Sequence, residues 1–333
     1  MGRPTIYSIA KACGVSASTV SRAFNKPHVI SDAVRARILA VAAEMDYRPN
    51  PAARGLVTGR TDMLGLLVPD ITNPFFPPIV RAIQQTAWEI GYSVLLVHAD
   101  ESTVAEPRLM RRLRGHVDGL ILCSPRTPPK ALREATEGIP TVLINRVLPG
   151  LPAVVCDDST AFVEGGRHLQ ELGHRTVALL RGPAASWVAA QRANAVRGWA
   201  GESGTELIEL GPFTASFDGG VTAAQALLDT PATAAFAFDD LMACGLLAEL
   251  ARHGLTVPGH TSVIGCDDVL LASTATPSLT TVTAMPEEIG ATTVTLLRRE
   301  ITGATRAAKV VRYDGEFTVR ASTGPPAPAR VRR

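Results

Sequence analysis

Arg22 sits in VSASTVSRAFN (15–25), a long cationic side chain among small hydroxyls and alanines. A guanidinium offers a rigid fork of donors that can read a guanine edge with two hydrogen bonds. The hydroxyls beside it, with the free amides of a helix N-terminus, can hold phosphate oxygens. A second set of chemically able residues lies downstream. Asp70, Phe75 and Phe76 follow one apolar run, Ser124 another, Asp239 and Asp240 a third, and Asp267 and Asp268 a fourth, while Arg192 lies after RGPAAS. Carboxylates accept from paired hydroxyls, a guanidinium donates to them, and an aromatic ring covers an apolar sugar face. That is equipment for holding a polyol, although acids at strand ends also cap neighbouring helices. Bond-making chemistry has no counterpart: the chain holds no G-x-x-x-x-G-K-[ST], G-x-S-x-G or H-E-x-x-H, and its histidines have no metal spacing. His168 and His174, in HLQELGHR, read as structural. No metal and no cofactor are expected.

The elements that position Arg22 can be read directly. A first helix follows Thr5 over Ile6–Cys13 and stops at Gly14; a second starts at Ser16, with Val15 and Val20 at hydrophobic-staple spacing. A third begins at Ser31-Asp32, where Val34, Ile38, Val41 and Met45 form one stripe expected to be buried. Helix, tight turn and helix make a helix-turn-helix arrangement. Val20 and Phe24 share the inward face of the second helix; Ala17, Ser18, Ser21 and Arg22 share the other. A face of small polar residues suits close approach to a groove and equally suits plain solvation.

Charge separates these uses only partly. Residues 1–60 carry nine Lys/Arg against three acids, so a head of +6 stands on a body of −4 although the chain totals +2. An anionic partner for the head alone follows. The 46% of hydrophobic residues suffices for a sizeable core, and no run reaches the roughly 18 apolar residues of a membrane helix. The N-terminus lacks a secretory h-region and the five cysteines are scattered and odd in number, so the expectation is a cytoplasmic chain with inert thiols.

Beyond residue 61, apolar runs alternate with helix-like segments. The runs are Leu64–Val68, Val94–Val97, Gly119–Leu122, Thr141–Ile144, Val177–Leu180, Ala234–Phe238 and Ser262–Cys266; helices are expected over Ile79–Ile90, Phe162–Leu172 and Met242–His253. Runs this apolar suit parallel strands covered on both faces, and repeated β-α units imply doubly wound layers. About 270 residues exceed one core, so two lobes are expected.

The run TIYSIAKACGVSASTVSRAFNKPHVISDAVRARILAVAAEMDYRPNPAARGL closely resembles the head of the lactose/galactose repressor (LacI/GalR) family of bacterial transcription regulators. The body resembles the same family throughout, in VPDITNPFF (68–76), IPTVLINR (139–146), HLQELGHRTVALLRGP (168–183), AFAFDDLMACG (235–245), GLTVPGHTSVIGCDD (254–268) and PSLTTV (277–282). The resemblance implies a small all-α helix-turn-helix head (1–49), a hinge (50–60) and a periplasmic-binding-protein-like α/β body (61–333) of two doubly wound parallel-sheet lobes. Lobe one would be about 61–157 plus 286–312, and lobe two about 158–284 plus the tail. It assigns base reading to Ala17, Ser18 and Arg22, phosphate contacts to Ser16, Thr19 and Ser21, and a DNA contact to Asn25. In the hinge it makes Leu56 a minor-groove wedge flanked by Ala53 and Arg54; Leu56 as a simple linker residue is the alternative. Asp70, Phe75, Phe76, Ser124, Arg192, Phe213, Asp239 and Asp267 fall at effector positions.

The function implied is a non-enzymatic, ligand-responsive repressor of a pseudopalindromic operator in double-stranded DNA. It would act as a cytoplasmic, nucleoid-associated homodimer controlled by a sugar or related polyol between the lobes. An α/β enzyme and a secreted sugar-binding protein share the body architecture, and the basic head argues against both. Departures from the family pattern alter the pocket: Asp239 and Asp158 stand where asparagine is usual, Cys266 where an aromatic is common, and Ala195-Val196 where Gly-Phe is. An extra carboxylate suits a ligand with an amine or many hydroxyls. Gly55 replaces a serine and weakens the hinge as a helix. The tail ASTGPPAPARVRR has no heptad repeat, so a dimer is expected and a tetramer is not.

Overall fold

The structure is a computed structural model describing residues 4–25, 27–47, 60–304 and 308–327, with the side chains of Asn25 and Pro27 left out. Ala53, Arg54 and Leu56 lie outside the described residues. The chain forms two compact units, residues 1–62 and 63–333.

In the first unit, α1 (Ile6–Cys13), α2 (Ala17–Asn25) and α3 (Asp32–Glu44) close a small core of Ile9, Ala10, Cys13, Val20, Ala23, Ile38 and Ala42. Thr5 and Ser8 form a reciprocal capping box at the start of α1. Gly14 ends that helix at φ +61°, a left-handed conformation that glycine adopts without Cβ strain. Val15 then turns back, its amide donating to the Ala10 carbonyl at 3.0 Å. Two arginines serve as internal ties: Arg37 donates to the Cys13 carbonyl at 2.7 Å and Arg35 to that of Ala23 at 3.4 Å. Phe24 meets Tyr47 edge-on at 5.9 Å. The expected stripe on α3 is corrected at its end. Ile38 is buried and Val34 and Val41 pack against the core, but Met45 is 36% exposed because it sits at the C-cap, past the reach of α1 and α2.

The second unit holds β1 (Met63–Val68), α4 (Phe76–Glu89), β2 (Ser93–His98), α5 (Ala105–Arg114), β3 (Gly119–Cys123), α6 (Pro129–Thr136), β4 (Thr141–Ile144) and β5 (Ala153–Asp157). There follow α7 (Ser159–Glu171), β6 (Thr176–Leu180), α8 (Trp187–Ser203), β7 (Glu206–Leu210), α9 (Phe217–Leu228), β8 (Ala234–Phe236), α10 (Asp240–Arg252) and β9 (Ser262–Ile264). The last elements are α11 (Leu270–Thr274), β10 (Thr281–Thr283), α12 (Pro286–Ile301), β11 (Val310–Asp314) and β12 (Glu316–Thr318). One parallel sheet runs β11-β5-β4-β3-β1-β2 and a second runs β7-β6-β8-β9. Each is sandwiched between two apolar clusters, which is why strands such as β3 and β4 are apolar on both faces.

The chain passes between the two sheets three times, at Asp157–Asp158, between β10 and α12, and between β11 and β12, the last strand pairing antiparallel with β10. Helices α9 and α10 approach closely at Gly220 and Gly245, where a Cβ on either would strike the backbone of the other helix. The strand ending α/β lobe two is shorter than its apolar run: β8 stops at Phe236 and β9 at Ile264, which frees 237–239 and 265–268 to turn into loops.

Candidate functional site

The polar face of α2 is built from its start. Ser16 precedes the helix, its Oγ accepting from the Thr19 amide at 3.1 Å and lying 2.7 Å from Ser18 Oγ and 2.9 Å from Thr19 Oγ1. Val20 is wholly buried and Phe24 partly so, which turns Ser18 and Arg22 outward into solvent. Ala17, Thr19 and Ser21 are half-buried, and Ala17 leans on the core. Asn25 ends the helix, its side chain outside the described ones. Tyr7 on α1 is 75% exposed, a large aromatic that packing does not account for.

The second site lies between the two sheets of the body, at the carboxyl ends of β1, β2, β3, β4, β8 and β9, where ligand crevices of open α/β sheets form. The cleft brings together Phe75, Phe76, Ser124, Arg192, Asp239 and Asp267. Arg192 is its electrostatic centre. It is 7% exposed; its Nε donates to Asp158 Oδ2 at 2.8 Å, its Nη1 to the Phe238 carbonyl at 2.7 Å and its Nη2 to Asp267 Oδ1 at 3.1 Å. The guanidinium lies 5.1 Å from the Phe238 ring centroid and 5.8 Å from that of Phe162.

Asp239 caps α10, accepting from the Met242 amide at 2.8 Å, and also accepts from Asn73 Nδ2 at 2.9 Å, a hydrogen bond that joins the two lobes. Helix cap and cleft residue are therefore both true of it. Burial pushes the carboxyls of Asp239 and Asp267 up, and the Arg192 guanidinium opposes that rise at each. Backbone strain gathers at the same rim. Asp100, Glu101, Ser124, Asn145, Asp267 and Asp268 all have positive φ, six of the eight non-glycine residues that do so among those described.

Two expected residues are not among those lining the cleft. Asp70 turns its carboxylate onto Thr72, accepting from the amide and the hydroxyl at 2.8 Å, and the Phe213 ring packs over Gly211 and the core of lobe two. Conversely, Asn73, Glu101, Arg126, Asn145 and Phe238 line it and were not singled out. The rule that found Ser124, a polar residue just past an apolar run, reaches Arg126 and Asn145 if applied a little further along each loop. Asp158 stands out in the sequence only as a departure; here it is the closest carboxylate partner of Arg192 and also accepts from the Cys156 thiol at 2.8 Å.

Residues 5–50 match the bacterial regulatory proteins of the lacI family, and residues 167–323 match the periplasmic binding protein-like domain. The HTH-type transcriptional regulator DegA of Bacillus subtilis is 35% identical, over 97% of this chain and 99% of its own. The chain belongs to the LacI family. Among solved structures, the lac repressor dimer bound to operator and the anti-inducer ONPF superposes with a TM-score of 0.86 at 25% identity, covering 97% of this chain and all of that one. A complex of the transcriptional regulator CelR with cellobiose gives 0.72 at 30% identity, over 96% of this chain and 100% of that one. This LacI-family chain is thus a ligand-responsive, DNA-binding transcriptional regulator and not an enzyme. None of its described helices is long and apolar enough to cross a membrane.

Proposed function

We propose that this regulator represses transcription by binding a pseudopalindromic operator as a homodimer, and that a sugar or related polyol in the inter-lobe cleft controls that binding. The observation that carries the reading is the pairing of an outward Arg22 on a small-residue helix with a buried Arg192 and acids in a cleft. The organisation is a head (1–49), a hinge (50–60) and a body (61–333). Ser18 and Arg22 read bases; Ala17, half-buried, limits itself to van der Waals contact. Ser16, Thr19, Ser21 and Asn25 position the helix on the sugar-phosphate backbone. In the hinge, Leu56, flanked by Ala53 and Arg54, wedges the minor groove and bends the duplex.

Within the cleft, Phe75 and Phe76 form the apolar wall while Ser124, Arg192, Asp239 and Asp267 hydrogen-bond hydroxyls; Asp70 and Phe213 support the loops around it. The cellobiose-bound relative supports a carbohydrate ligand. Ligand between the lobes shifts their relative orientation and hence whether paired hinges meet, so operator and ligand affinities are reciprocally coupled. The protein works in the cytoplasm, associated with the nucleoid through its operator. Light scattering should give a dimer mass; a tetramer overturns the assembly. The decisive experiment compares Arg22→Ala with the parent on selected operator and random DNA. Loss of about 1–3 kcal/mol of discrimination at one base pair is expected, and an equal fall on both DNAs reduces Arg22 to a phosphate contact.

A further inference from the structure

The two halves of the cleft are charged differently. On the lobe-two side every acid is already engaged: Asp158 and Asp267 sit on Arg192, and both oxygens of Asp239 accept, from Met242 and Asn73. Asp239 is thus occupied and is not an open counter-charge for an amine. The lobe-one side is built around Arg126, whose side chain is only 4% exposed. Its backbone is fixed from beneath. Glu106, fully buried, accepts from the amides of Arg126 and Thr127 and from the Thr127 hydroxyl, all at 2.7–2.9 Å. Arg146, also buried, donates to the Pro125 carbonyl at 2.7 Å and adds a second positive charge behind the loop. Glu106 is occupied with these three donors, and among the described residues the carboxylate that meets the Arg126 guanidinium is that of Glu101, in a two-point fork at 2.6 and 2.8 Å.

Glu101 differs from Arg126 in how it is held. Its side chain is 31% exposed against 4%, and both it and Asp100 before it have left-handed backbone, at φ +54° and +52°. A rigid, buried cation therefore faces a partly hydrated carboxylate on a strained loop. Such a pair exchanges partners more readily than a buried one breaks, because the partly exposed Glu101 carboxylate regains water as it leaves.

We propose that the effector is a sugar acid whose carboxylate replaces that of Glu101 on Arg126, while its hydroxyls meet Arg192, Asp267 and Asn145 across the cleft. The planar fork on Arg126 matches a carboxylate point for point. Asn145 Oδ1 accepts from the Cys156 amide at 2.9 Å, which leaves its amide nitrogen to donate to a hydroxyl. Asp267 offers its second oxygen as an acceptor, since Oδ1 alone holds Arg192. This inference rests on the polyol reading above and narrows it.

The test is calorimetric titration of the full chain with matched sets: glucose, glucuronate, gluconate and glucosamine; galactose, galacturonate and galactosamine. At least one acid is expected to bind about tenfold or more tightly than its neutral parent, the worth of a charged hydrogen-bonded contact. In Arg126→Met that difference disappears. Glu101→Gln, a change at a partly exposed site, removes the competing carboxylate and tightens the acid further. Equal affinity for acid and parent, preference for the amine, a difference that survives in Arg126→Met, or weaker acid binding by Glu101→Gln each overturns the sugar-acid assignment alone. Binding of no compound in either set, by chain that still binds operator, overturns the polyol reading together with it.

Discussion

Replacing Arg192 by methionine removes the positive charge at the centre of the cleft and keeps most of its bulk. The guanidinium is buried between the Phe162 and Phe238 rings and is the partner of Asp158 and Asp267, whose side chains are only 6% and 7% exposed. Breaking a buried ion pair by deleting one partner costs about 3–5 kcal/mol, chiefly because the remaining charge has neither water nor partner. For a body of this size that corresponds to a fall of about 10 °C in melting temperature. The loss has a pH signature. Burial already pushes the Asp267 carboxyl up against the opposing pull of Arg192, so without the arginine it rises further and takes up a proton more readily as pH falls. A neutral carboxyl needs no counter-charge. The destabilisation relative to the parent therefore shrinks as pH falls. Urea unfolding at several pH values measures this through Trp88, Trp187 and Trp199, all of which lie in the body. Arg192→Met with Asp158→Asn and Asp267→Asn should regain most of the stability. A loss below about 1 kcal/mol, or one independent of pH, refutes the account of Arg192 as a structural keystone of the cleft.

Asp240 is buried beneath the loop after β9, accepting from Thr281 Oγ1 at 2.7 Å and from the Val269 amide at 3.0 Å, and burial raises its pKa to about 7. The folded body then holds a proton that the unfolded chain releases, so Asp240 lowers stability as pH rises from about 4 to about 7, by up to about 4 kcal/mol. Asp240→Asn should flatten that slope in pH-dependent urea unfolding, and an unchanged slope refutes it. Gly14→Ala should destabilise the head by about 1–2 kcal/mol through left-handed backbone strain alone, since the space beside Gly14 is open. Circular-dichroism melts check this, with asparagine expected to cost less than alanine; equal costs exclude the backbone explanation. Leu56→Ala should weaken operator affinity while the melting of the body stays put; unchanged affinity makes Leu56 a mere linker. Burial pushes the thiol of Cys123 up to about 12, and those of Cys156 and Cys266 also rise. All three should resist a thiol reagent in the native state, and rapid labelling of any of them contradicts their burial.

The head was legible because its information is local. A few apolar residues define each helix within a dozen positions, and at α1 Thr5 caps the start and left-handed Gly14 the end, where the sequence places them. The sheets were legible where strands carry a continuous apolar run, which includes the half-buried edge strand β2 (SVLLVH). β7 (ELIEL) and β11 (VVRYD) are edge strands with mixed exposure, so their sequences lack a continuous apolar run, and β10 and β12 are three-residue strands at the lobe crossings. β5 (AVVCD) is buried and apolar like β3 and β4, and its composition does not set it apart from them. Around the cleft, strand-end position found Ser124, Asp239 and Asp267. It did not distinguish Asp70, which turns onto its own loop, from Asp239, which spans the lobes, because that depends on which partner arrives from another part of the chain. The same holds for Glu101 and Arg126, 25 residues apart and joined only by folding.

The C-terminal tail fastens lobe two from outside its own continuous stretch. The Val263 amide donates to the Ser322 carbonyl at 2.9 Å, Ser322 Oγ donates to the Val263 carbonyl, and buried His174 reaches the Gly324 carbonyl at 2.9 Å. Lobe one is likewise unfinished until β11 adds its edge strand beside β5. During synthesis the head, a continuous segment with near-neighbour contacts, can fold as soon as it leaves the ribosome. Both halves of the body must wait for residues beyond 310. A growing chain therefore holds a folded DNA-binding head well before it has a finished ligand-sensing body, and truncation before Ser322 leaves lobe two without its seam.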